Sequence, residues 1–428
     1  MGHFDDCTLD DRFSSGDTHN FRYGDDRNGC LWIVWDFDQR RVIAVATAWM
    51  EDDQRFIYEA LALHIDDLAA DVVLIEVGNE GELIKCVSDI DKDKTRVPSY
   101  FPIQAYAGTP PFYHRRELVE LDRMGVQVDQ VVHKANLGDE SRRLAFKYYF
   151  SPTNGALMWH EINCLMRIPP HPNIVPFDRL VVDSIDGRDV VVGYTTPFVP
   201  GGTLYHNPHR VFKLKHLTQL MDVVDILTLQ LGIVHGDVVA YNLLIDADTD
   251  NLLLFDFNFA SKLGWEGDPN CNDEFAYRPE LNDVKLVTLS LYEIITRDMH
   301  FRGENEPEDL EISWITDMET WEKHPDVQLE ADVSEYRHIL DEWVVVRREE
   351  DKKMTNWTQA PRLIDWPLLP EFPQVDWLGK MEPRPYSPRE HLVRTGRGHL
   401  HWQRPASCHL PLPKGRYLLA TGQVVEEL

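Results

Sequence analysis

The sequence predicts an α+β fold in which a strand-rich lobe is followed by a helix-rich lobe. Short apolar and β-branched runs dominate residues 117–195, with one stretch of helical spacing at 156–167 among them. The chain breaks at Pro200-Gly201-Gly202, and the apolar patterns beyond it have the helical period. They occupy three segments: 216–231, 283–296 and 335–347. This segregation of strands from helices is typical of α+β proteins.

Local signals define the elements of the two lobes. The expected strands are 117–124, 130–136, 143–150, 178–182 and 190–195. Thr153 and Asn154 are candidate caps for the helix 156–167. The helix 216–231 keeps its apolar residues on one face, and Gly232 is a natural terminator for it.

Residues 1–112 are expected to form a small α+β extension, to which the sequence assigns no role. Its expected elements are a hairpin from 31–37 and 42–49, a helix at 56–65 and a strand at 71–77. Residues 1–28 are polar and rich in turn formers, so we expect a loose arm there. Gly108-Thr109-Pro110-Pro111 marks the end of the extension.

The composition changes again after residue 351. Ten prolines lie between Pro361 and Pro413, with tryptophans interspersed among them. We expect this tail, residues 351–428, to be an extended segment that packs on the protein or on a partner.

Composition also excludes several functional classes. The chain of 428 residues has a net charge of −29, which opposes nucleic-acid binding because nucleic-acid phosphates are also negative. No apolar run reaches the roughly 20 residues that a membrane span requires. The acidic start lacks the apolar core of a secretory signal, and the six cysteines form no CxxC pair. We therefore expect an intracellular protein, cytoplasmic or nuclear, whose acidic surface favours basic partners.

Residues 235–256 contain the pattern that phosphoryl transfer from a magnesium nucleotide requires. His235-Gly236-Asp237 is followed by Asn242, five positions after the aspartate, and by Asp256 after an apolar strand. Asp237 would orient an acceptor hydroxyl, while Asn242 and Asp256 offer the hard oxygen ligands that Mg²⁺ prefers. Each residue alone is more often a helix cap or a turn former, so the pattern depends on what lies upstream.

Two upstream residues extend this series. Lys147 ends an expected strand, from which a lysine can reach the α- and β-phosphates of a nucleotide. Glu161, 14 residues later on an expected helix, is the candidate that holds this lysine through an ion pair. Isolated caps and edge charges do not explain a lysine, glutamate, aspartate, asparagine and aspartate in this order.

The region 117–347 resembles a eukaryotic protein kinase domain, in particular the divergent protein-kinase-like proteins common in fungi. His171-Pro172-Asn173-Ile174-Val175 is similar to the segment after the regulatory helix of protein kinases, and 195–204 is similar to their hinge. Asp283 opens a segment that resembles the buried helix of the second lobe, where it would position the catalytic loop. The resemblance implies a two-lobed kinase-like fold. It divides the chain into the extension 1–112, a kinase-like domain 113–350 with lobes 113–199 and 200–350, and the tail 351–428.

The same resemblance implies a role for each site residue. Lys147 would bind phosphate, Glu161 would orient Lys147, and Asp237 would be the catalytic base. Asn242 and Asp256 would hold Mg²⁺, so ATP and Mg²⁺ are the expected cofactors. The residues expected around the nucleotide are Gly125, Val132, Ala145, Lys147, Thr196, Pro197 and Val199.

The expected phosphate-binding loop departs from the kinase pattern. Within 124–135 only Gly125 remains of three glycines, because Gln127 and Gln130 occupy the other two positions. Glycine at these positions permits positive φ and a close approach of the backbone to phosphate. Asp129 is expected to add a negative charge beside the phosphates, so ATP binding should be weakened.

Further departures lie in the second lobe. Gly236 replaces the arginine that recognises activation-loop phosphorylation, and Val239 replaces a lysine that neutralises the γ-phosphate. Asp283 follows Glu280 by three residues, so the shelf that docks a peptide substrate is expected to be short.

Three functions remain open at this point. The first is ATP- and Mg²⁺-dependent phosphorylation of a Ser/Thr hydroxyl on protein, at a full or reduced rate. The second is a pseudokinase, a scaffold whose kinase fold presents binding surfaces. The third is a small-molecule kinase of the aminoglycoside or choline type, since those enzymes also have HGD and need no peptide shelf. HPNIV and the Pro-Gly-Gly turn favour the protein-kinase branch.

Overall fold

A computed structural model describes nearly the whole chain. The described residues are 8–23, 27–48, 53–106, 108, 110–151, 155–207, 209–271, 275–377 and 380–428. They form a mixed α/β structure with two compact units. The first unit comprises Met1–Gly155, Asp178–Phe198 and Phe372–Leu428, and the second comprises Ala156–Phe177 and Val199–Glu371. None of the described helices is long and apolar enough to cross a membrane.

A five-stranded sheet forms the N-terminal part of the first unit. After helix α1 (Leu9–Arg12) its strands are β1 (Phe13–Tyr23), β2 (Arg27–Asp36), β3 (Arg41–Thr47), β4 (Leu74–Val77) and β5 (Leu83–Val87), in that order across the sheet. Helix α2 (Gln54–Ala62) connects β3 to β4, which are parallel, whereas the other neighbouring strands are antiparallel. Ile57 and Leu61 of α2 share a buried apolar cluster with Val34 and Val45 of the sheet.

The predicted hairpin, helix and strand of this region are confirmed, whereas the predicted loose arm is not. β2 and β3 pair across the turn 37–40, although Trp49, the predicted end of the second run, lies outside the described residues. The prediction of an arm over residues 1–28 was wrong for its described part, because β1 pairs with β2 along nearly its whole length. β1 is a polar edge strand held by backbone hydrogen bonds, so it lacks the apolar alternation that identifies a strand in sequence.

A six-stranded sheet completes the first half of the chain, after a short strand β6 (Arg96–Pro98). Its strands are β7 (Phe112–His114), β8 (Leu118–Gly125), β9 (Val128–His133), β10 (Leu144–Tyr148), β11 (Arg179–Ile185) and β12 (Arg188–Pro197). The order is β7-β11-β12-β10-β9-β8, with β7 and β11 parallel and the other pairs antiparallel. The five strands predicted in this region are confirmed, and the three-residue β7 is too short for a sequence pattern to reveal.

Helices dominate the second unit. They are α3 (Gly155–Leu165), of which all but the first residue belongs here, α4 (Leu214–Asp225), α5 (Asp283–Thr296), α6 (His300–Glu304), α7 (Ser313–Thr316) and α8 (Val333–Asp351). Helix α4 continues as π-helical turns to Leu231 and ends, as predicted, at Gly232 with φ 74°. The predicted caps of α3, Thr153 and Asn154, lie outside the described residues. Nearly every side chain of α5 is buried, so this helix forms the core of the unit.

Two small hairpin-like pairs lie between α4 and α5 in the chain. They consist of β13 (Ile233–Val234), β14 (Leu243–Ile245), β15 (Leu252–Leu254) and β16 (Ser261–Lys262). β13 pairs with β16 and β14 pairs with β15, both antiparallel. The loops at the ends of these strands contain three of the predicted site residues, Asp237, Asn242 and Asp256.

The tail contributes to both units. It forms β17 (Gln374–Trp377), β18 (Lys380–Pro383), β19 (Tyr386–Pro388), α9 (Arg389–Arg394), β20 (Tyr417–Leu418) and β21 (Val424–Val425). β19 pairs antiparallel with β6, and Ala420 donates its backbone N–H to the Leu118 carbonyl at 2.9 Å. Residues 372–428 therefore pack within the first unit, whereas residues 355–371 pack within the second.

Candidate functional site

Hydrogen bonds fix both ends of the loop from His235 to Asn242. Asp283, buried at the start of α5, accepts the backbone N–H groups of His235 and Gly236 at 2.7 and 2.9 Å. Asn242 donates its side-chain N–H to Asp237 Oδ2 at 2.8 Å and to the Asp237 carbonyl at 2.9 Å. The Asp237 carboxylate is therefore oriented by Asn242 in a loop that helix α5 anchors.

The backbone of this loop requires glycine at position 236. Gly236 has φ 78°, and a Cβ atom there would lie 2.5 Å from the Phe259 carbonyl oxygen. Any side chain would be strained by the left-handed backbone and would also clash. The loop conformation itself therefore requires glycine at position 236, which the sequence pattern alone did not indicate.

His235 has a structural role in this loop. Its Nδ1 accepts the backbone N–H of Asp237 at 3.2 Å, which assigns the ring proton to Nε2, and Nε2 donates to the Phe255 carbonyl at 2.9 Å. The ring also packs edge-on against Phe257, with 4.7 Å between the ring centroids. Because both nitrogens are occupied, His235 positions the loop and does not serve as its acid or base.

Asp256 places a second carboxylate close enough to Asp237 for their charges to interact. It follows β15 in a left-handed backbone conformation, with φ 67° and ψ 72°. Burial raises the pKa of Asp237, and the negative charge of Asp256 raises it further, against the opposing effect of His235. A divalent cation between such groups would remove the repulsion between their charges.

The oxygen donors around these carboxylates fit Mg²⁺. Asn242 uses its side-chain N–H groups for Asp237, which leaves its Oδ1 as a hard oxygen ligand. Asn258, two residues after Asp256, has a buried Oδ1 that lacks a hydrogen-bond partner within the described part of the chain. Carboxylate and amide oxygens are the ligands that Mg²⁺ prefers, so Asn242 and Asp256 are suited to hold it.

In the first unit, the sheet register brings together residues expected to contact a nucleotide. Ala145 and Lys147 alternate with the buried Phe146 on β10, so these two side chains share one face of the sheet. Thr196 lies directly opposite Ala145 on β12. The register between β9 and β10 places Val132 on the same face.

The turn between β8 and β9 keeps a glycine-like conformation without glycine. Gly125 ends β8 and lies opposite Val128. Gln127 has φ 59°, and its Oε1 accepts the backbone N–H of Phe150 at 3.1 Å. Its carbonyl accepts the backbone N–H of Tyr148 at 2.9 Å. These hydrogen bonds hold the left-handed conformation that a glycine would adopt without strain.

The expectation that Asp129 adds charge beside the phosphates was wrong. Its carboxylate is fully buried and accepts a hydrogen bond from Arg404 Nη1 at 2.7 Å. Asp129 is paired with Phe146 across the ladder, so it lies on the face opposite Lys147. The compensating cation comes from the tail, 275 residues away in sequence, which no local pattern indicates.

The remaining predicted residues belong to different units. Lys147 and Pro197 lie in the first unit, whereas Val199 and the fully buried Glu161 of α3 lie in the second. The ion pair between Lys147 and Glu161, and the convergence of both units on one nucleotide, therefore stay predictions.

The sequence did not indicate a group of residues that fixes helix α3. His160 Nδ1 accepts the indole N–H of Trp366 at 3.0 Å, and His160 Nε2 lies 3.2 Å from Asp268 Oδ2. Asp268 also accepts the backbone N–H of Leu369 at 2.5 Å. Burial lowers the pKa of His160 to about 4, so its ring is neutral at physiological pH.

The position of Trp366 argues against a metal ion in this group. His160, Asp268 and Cys271 lie close enough together to suggest one. An indole N–H can only donate, so His160 Nδ1 presents its lone pair to Trp366 and the neutral ring keeps its proton on Nε2. A metal ligand would need the lone pair of Nε2. We therefore assign these residues to a hydrogen-bonded cluster that connects α3 with residues 268–271.

Lys262 of β16 is fixed by the same part of the tail. Its Nζ lies 4.4, 5.0 and 4.9 Å from the ring centroids of Trp265, Trp357 and Trp366, and 2.5 Å from Asp365 Oδ1. Such cation–π contacts are favourable where the cation is buried. Residues 357–369 therefore hold both α3 and the segment that follows Asp256. In the sequence, only the tryptophans of the tail indicated that it packs on the protein in this way.

Comparisons with known proteins give little further information. No family model matches the chain, and no curated protein matches it. Among solved structures, the chain is similar to the kinase PK-1 of the Cydia pomonella granulovirus, at 18% identity and a TM-score of 0.36. The similarity covers 52% of this chain and 84% of the viral kinase. A likeness at this level supports no conclusion about the site, so the function follows from the site geometry.

Proposed function

We propose that the protein is a divergent, two-lobed protein-kinase-like phosphotransferase that uses ATP and Mg²⁺ to phosphorylate a Ser/Thr hydroxyl on protein. The main support is Asp237, oriented by Asn242 in a loop that Asp283 anchors. The nearby Asp256 carboxylate is the second support, since a paired acidic site of this kind suits a metal-bound phosphate. In this proposal residues 113–350 form the kinase-like domain, preceded by the extension 1–112 and followed by the tail.

Each residue has a defined task in this proposal. Asp237 accepts the proton of the acceptor hydroxyl as its oxygen attacks the γ-phosphorus of ATP, and burial, by raising the pKa of Asp237, makes it a better base. Asn242 and Asp256 hold Mg²⁺, which neutralises phosphate charge when bound. Lys147, positioned by Glu161, binds the α- and β-phosphates. The remaining nucleotide contacts come from Gly125, Val132, Ala145, Thr196, Pro197 and Val199.

The decisive experiment compares Mg-ATP turnover of the wild type, Asp237→Asn and Asp248→Asn. Asparagine at 237 keeps the shape and a hydrogen-bond acceptor for Asn242 but cannot take a proton, so turnover should fall about 100-fold or more. Asp248 is an exposed aspartate nearby in the chain, and its replacement should leave turnover unchanged. Equal background rates in all three proteins would end the proposal of catalysis.

A pseudokinase scaffold is the second candidate. Gln127 in the expected phosphate-binding loop favours this candidate. Its side chain is fixed by the backbone N–H of Phe150, so it is not free to move aside for phosphate. Val239 also leaves the γ-phosphate without its usual lysine. A thermal-shift titration with Mg-ATP separates the candidates, since any ligand of the native state must raise its melting temperature. No stabilisation at millimolar Mg-ATP would favour the scaffold.

A small-molecule kinase is the third candidate, favoured by the HGD loop in which Gly236 cannot be replaced by a side chain. A panel of aminoglycosides and choline, tested beside a Ser/Thr peptide library, distinguishes it by the acceptor that incorporates phosphate. Whether it phosphorylates proteins or small molecules, we propose that the enzyme is intracellular, prefers basic partners and binds neither nucleic acids nor membranes.

A further inference from the structure

The first unit contains a cavity of about 480 Å³, and none of its lining residues belongs to the proposed phosphoryl-transfer site. Its walls come from the start of β3, the turn before β4, the segment after β5 and tail residues 389–403. Apolar side chains line part of it: Val42, Val72, Ile90, Val97, Phe150 and Trp402. A cavity of this size suits a small organic ligand.

The charged lining of this cavity is basic. Arg40, Arg41, Arg96 and Arg389 line it, and Asp71 is the only acidic residue among the described ones that do. The whole chain has a net charge of −29, so the charge of the residues that line this cavity is opposite in sign to that of the molecule. Arg40 pairs with Glu120 and Asp129 outside the lining, so Arg41, Arg96 and Arg389 are the arginines that a bound anion would meet.

Arg41 lacks an ionic partner within the described residues. It is 5% exposed, and its Nη2 donates to the carbonyls of Val72 and Ala69 at 2.8 and 3.2 Å. Its buried Nη1 has no hydrogen-bond partner. Arg389, in contrast, pairs with Asp93 at 2.5 Å. The charges of Asp36 and Asp71 act on Arg41 from beyond salt-bridge distance, so its buried guanidinium has, among the described residues, neither a direct ionic partner nor an acceptor for Nη1, and an anion in the cavity would bring a partner close to this side chain.

The titratable groups of the cavity respond to the same positive potential. Burial lowers the pKa of Arg41, and Arg389 lowers it further, whereas the charges of Asp36 and Asp71 oppose the shift. Burial also lowers the pKa of His399 and of His401, and Arg389 contributes to both shifts. These lower pKa values favour the neutral form of both rings, so the cationic groups that line the cavity are its arginines.

We propose that this cavity binds a small organic anion, whose phosphate or carboxylate lies beside Arg41 and Arg389 and whose apolar body packs on the apolar wall. The site does not depend on phosphoryl transfer. It is built from the N-terminal sheet and the tail together, so its ligand would bind only the state in which these parts are packed.

Calorimetric titration of the full-length protein tests the proposal with three matched probes. Phenyl phosphate and benzoate combine an anion with an aromatic body, and benzyl alcohol has the body without the charge. At least one of the two anions should bind with a stoichiometry near one, while benzyl alcohol should not bind. The anion with the higher affinity shows whether the site prefers phosphate or carboxylate. Failure of both anions to bind at millimolar concentration, or equal binding of the alcohol, would overturn the proposal.

Two variants locate the binding site. Arg41→Met should lower the affinity for the anion about tenfold. Arg116 is an exposed arginine of the same unit outside the cavity, so Arg116→Met should leave this affinity unchanged. Equal affinities of both variants would refute the assignment to Arg41. If Arg41→Met does not fold, crystals of the wild type with para-bromobenzoate decide the question. A bromine peak in the cavity is expected, and a peak elsewhere would refute the site.

Discussion

Replacing Arg404 by methionine should strongly destabilise the first unit. The Arg404 side chain is fully buried, with Nη1 2.7 Å from Asp129 Oδ2 and 2.8 Å from Glu120 Oε2. Its Nε donates to the Asp38 carbonyl at 2.6 Å. Methionine fills a similar volume but leaves these two buried carboxylates with less positive charge and the carbonyl without its donor.

The charge balance of this buried group sets the magnitude. Around Arg404 lie Arg40, Arg123, Asp38, Glu120 and Asp129, and Arg12 joins this group through Asp38 at 3.7 Å. Removing one cation leaves one buried carboxylate uncompensated, and breaking a buried pair in this way costs about 3–5 kcal/mol. For a unit of this size, that loss lowers the melting temperature by about 6–20 °C.

The pH dependence of this loss follows from Glu120. Burial alone would raise the pKa of Glu120, but Arg404 and Arg123 outweigh burial and hold that pKa at about 2. A carboxyl whose pKa is lower in the folded state stabilises the protein at neutral pH and loses that effect as the pH falls toward its folded pKa. The melting temperatures of the wild type and Arg404→Met should therefore differ most at neutral pH and converge on acidification.

Melting curves followed by calorimetry check this prediction against a matched tail arginine. Arg416 is exposed and pairs with Glu426 at 3.1 Å on the surface, so Arg416→Met should cost less than about 1 kcal/mol. The double variant Arg404→Met/Asp129→Asn restores the charge balance and should recover part of the lost stability. Equal melting temperatures of the two single variants, or no recovery in the double variant, would refute the reasoning.

Three further predictions concern the second unit and the tail. Turnover should rise with pH as Asp237 loses its proton, and because burial raises the pKa of Asp237, this rise should occur at a higher pH than for a free aspartate. A profile of kcat/KM against pH that lacks such a rise would contradict the role of Asp237 as base. Trp366→Phe should cost about 1–3 kcal/mol in urea unfolding, because the buried His160 Nδ1 loses its donor, whereas the partly exposed Trp314→Phe should cost much less. Deleting residues 355–428 should prevent stable folding, and an unchanged melting profile of the truncated chain would dismiss that expectation.

The sequence predicts elements best where local signals agree with tertiary packing. Helix α5 has the predicted bounds, because Asn282 caps its start with a 2.9 Å hydrogen bond to the Val284 N–H and Arg297 ends it with φ 60°. The structure also brings Asp237 and Asn242 of the HGD loop together, since their side chains hydrogen-bond to each other five residues apart. Both cases depend on neighbours within a few positions in the chain.

The features that the sequence did not reveal depend on partners far away in the chain. Asp129 is a polar residue within a strand, and its partner Arg404 is 275 residues away. His160 and Trp366 are separated by 206 residues. Periodicity and spacing record only local geometry. A single sequence therefore does not show which distant residue compensates a buried charge or binds a buried ring nitrogen. The same limit explains the error about the charge of Asp129.

In the second unit, contacts within the chain fix both the loop that contains Asp237 and the segment that follows Asp256. Asn242 and Asp283 fix the loop, and the conformation of Gly236 leaves no room for a side chain at that position. The segment after Asp256 is ordered by contacts within the chain, because Lys262 is bound by Asp365 and by tryptophans of the same chain. Contacts within one polypeptide are present at a fixed, high effective concentration. If Asp237 is a catalytic base, we expect its activity to be constitutive, because residues 357–369 already hold the segment after Asp256 in place.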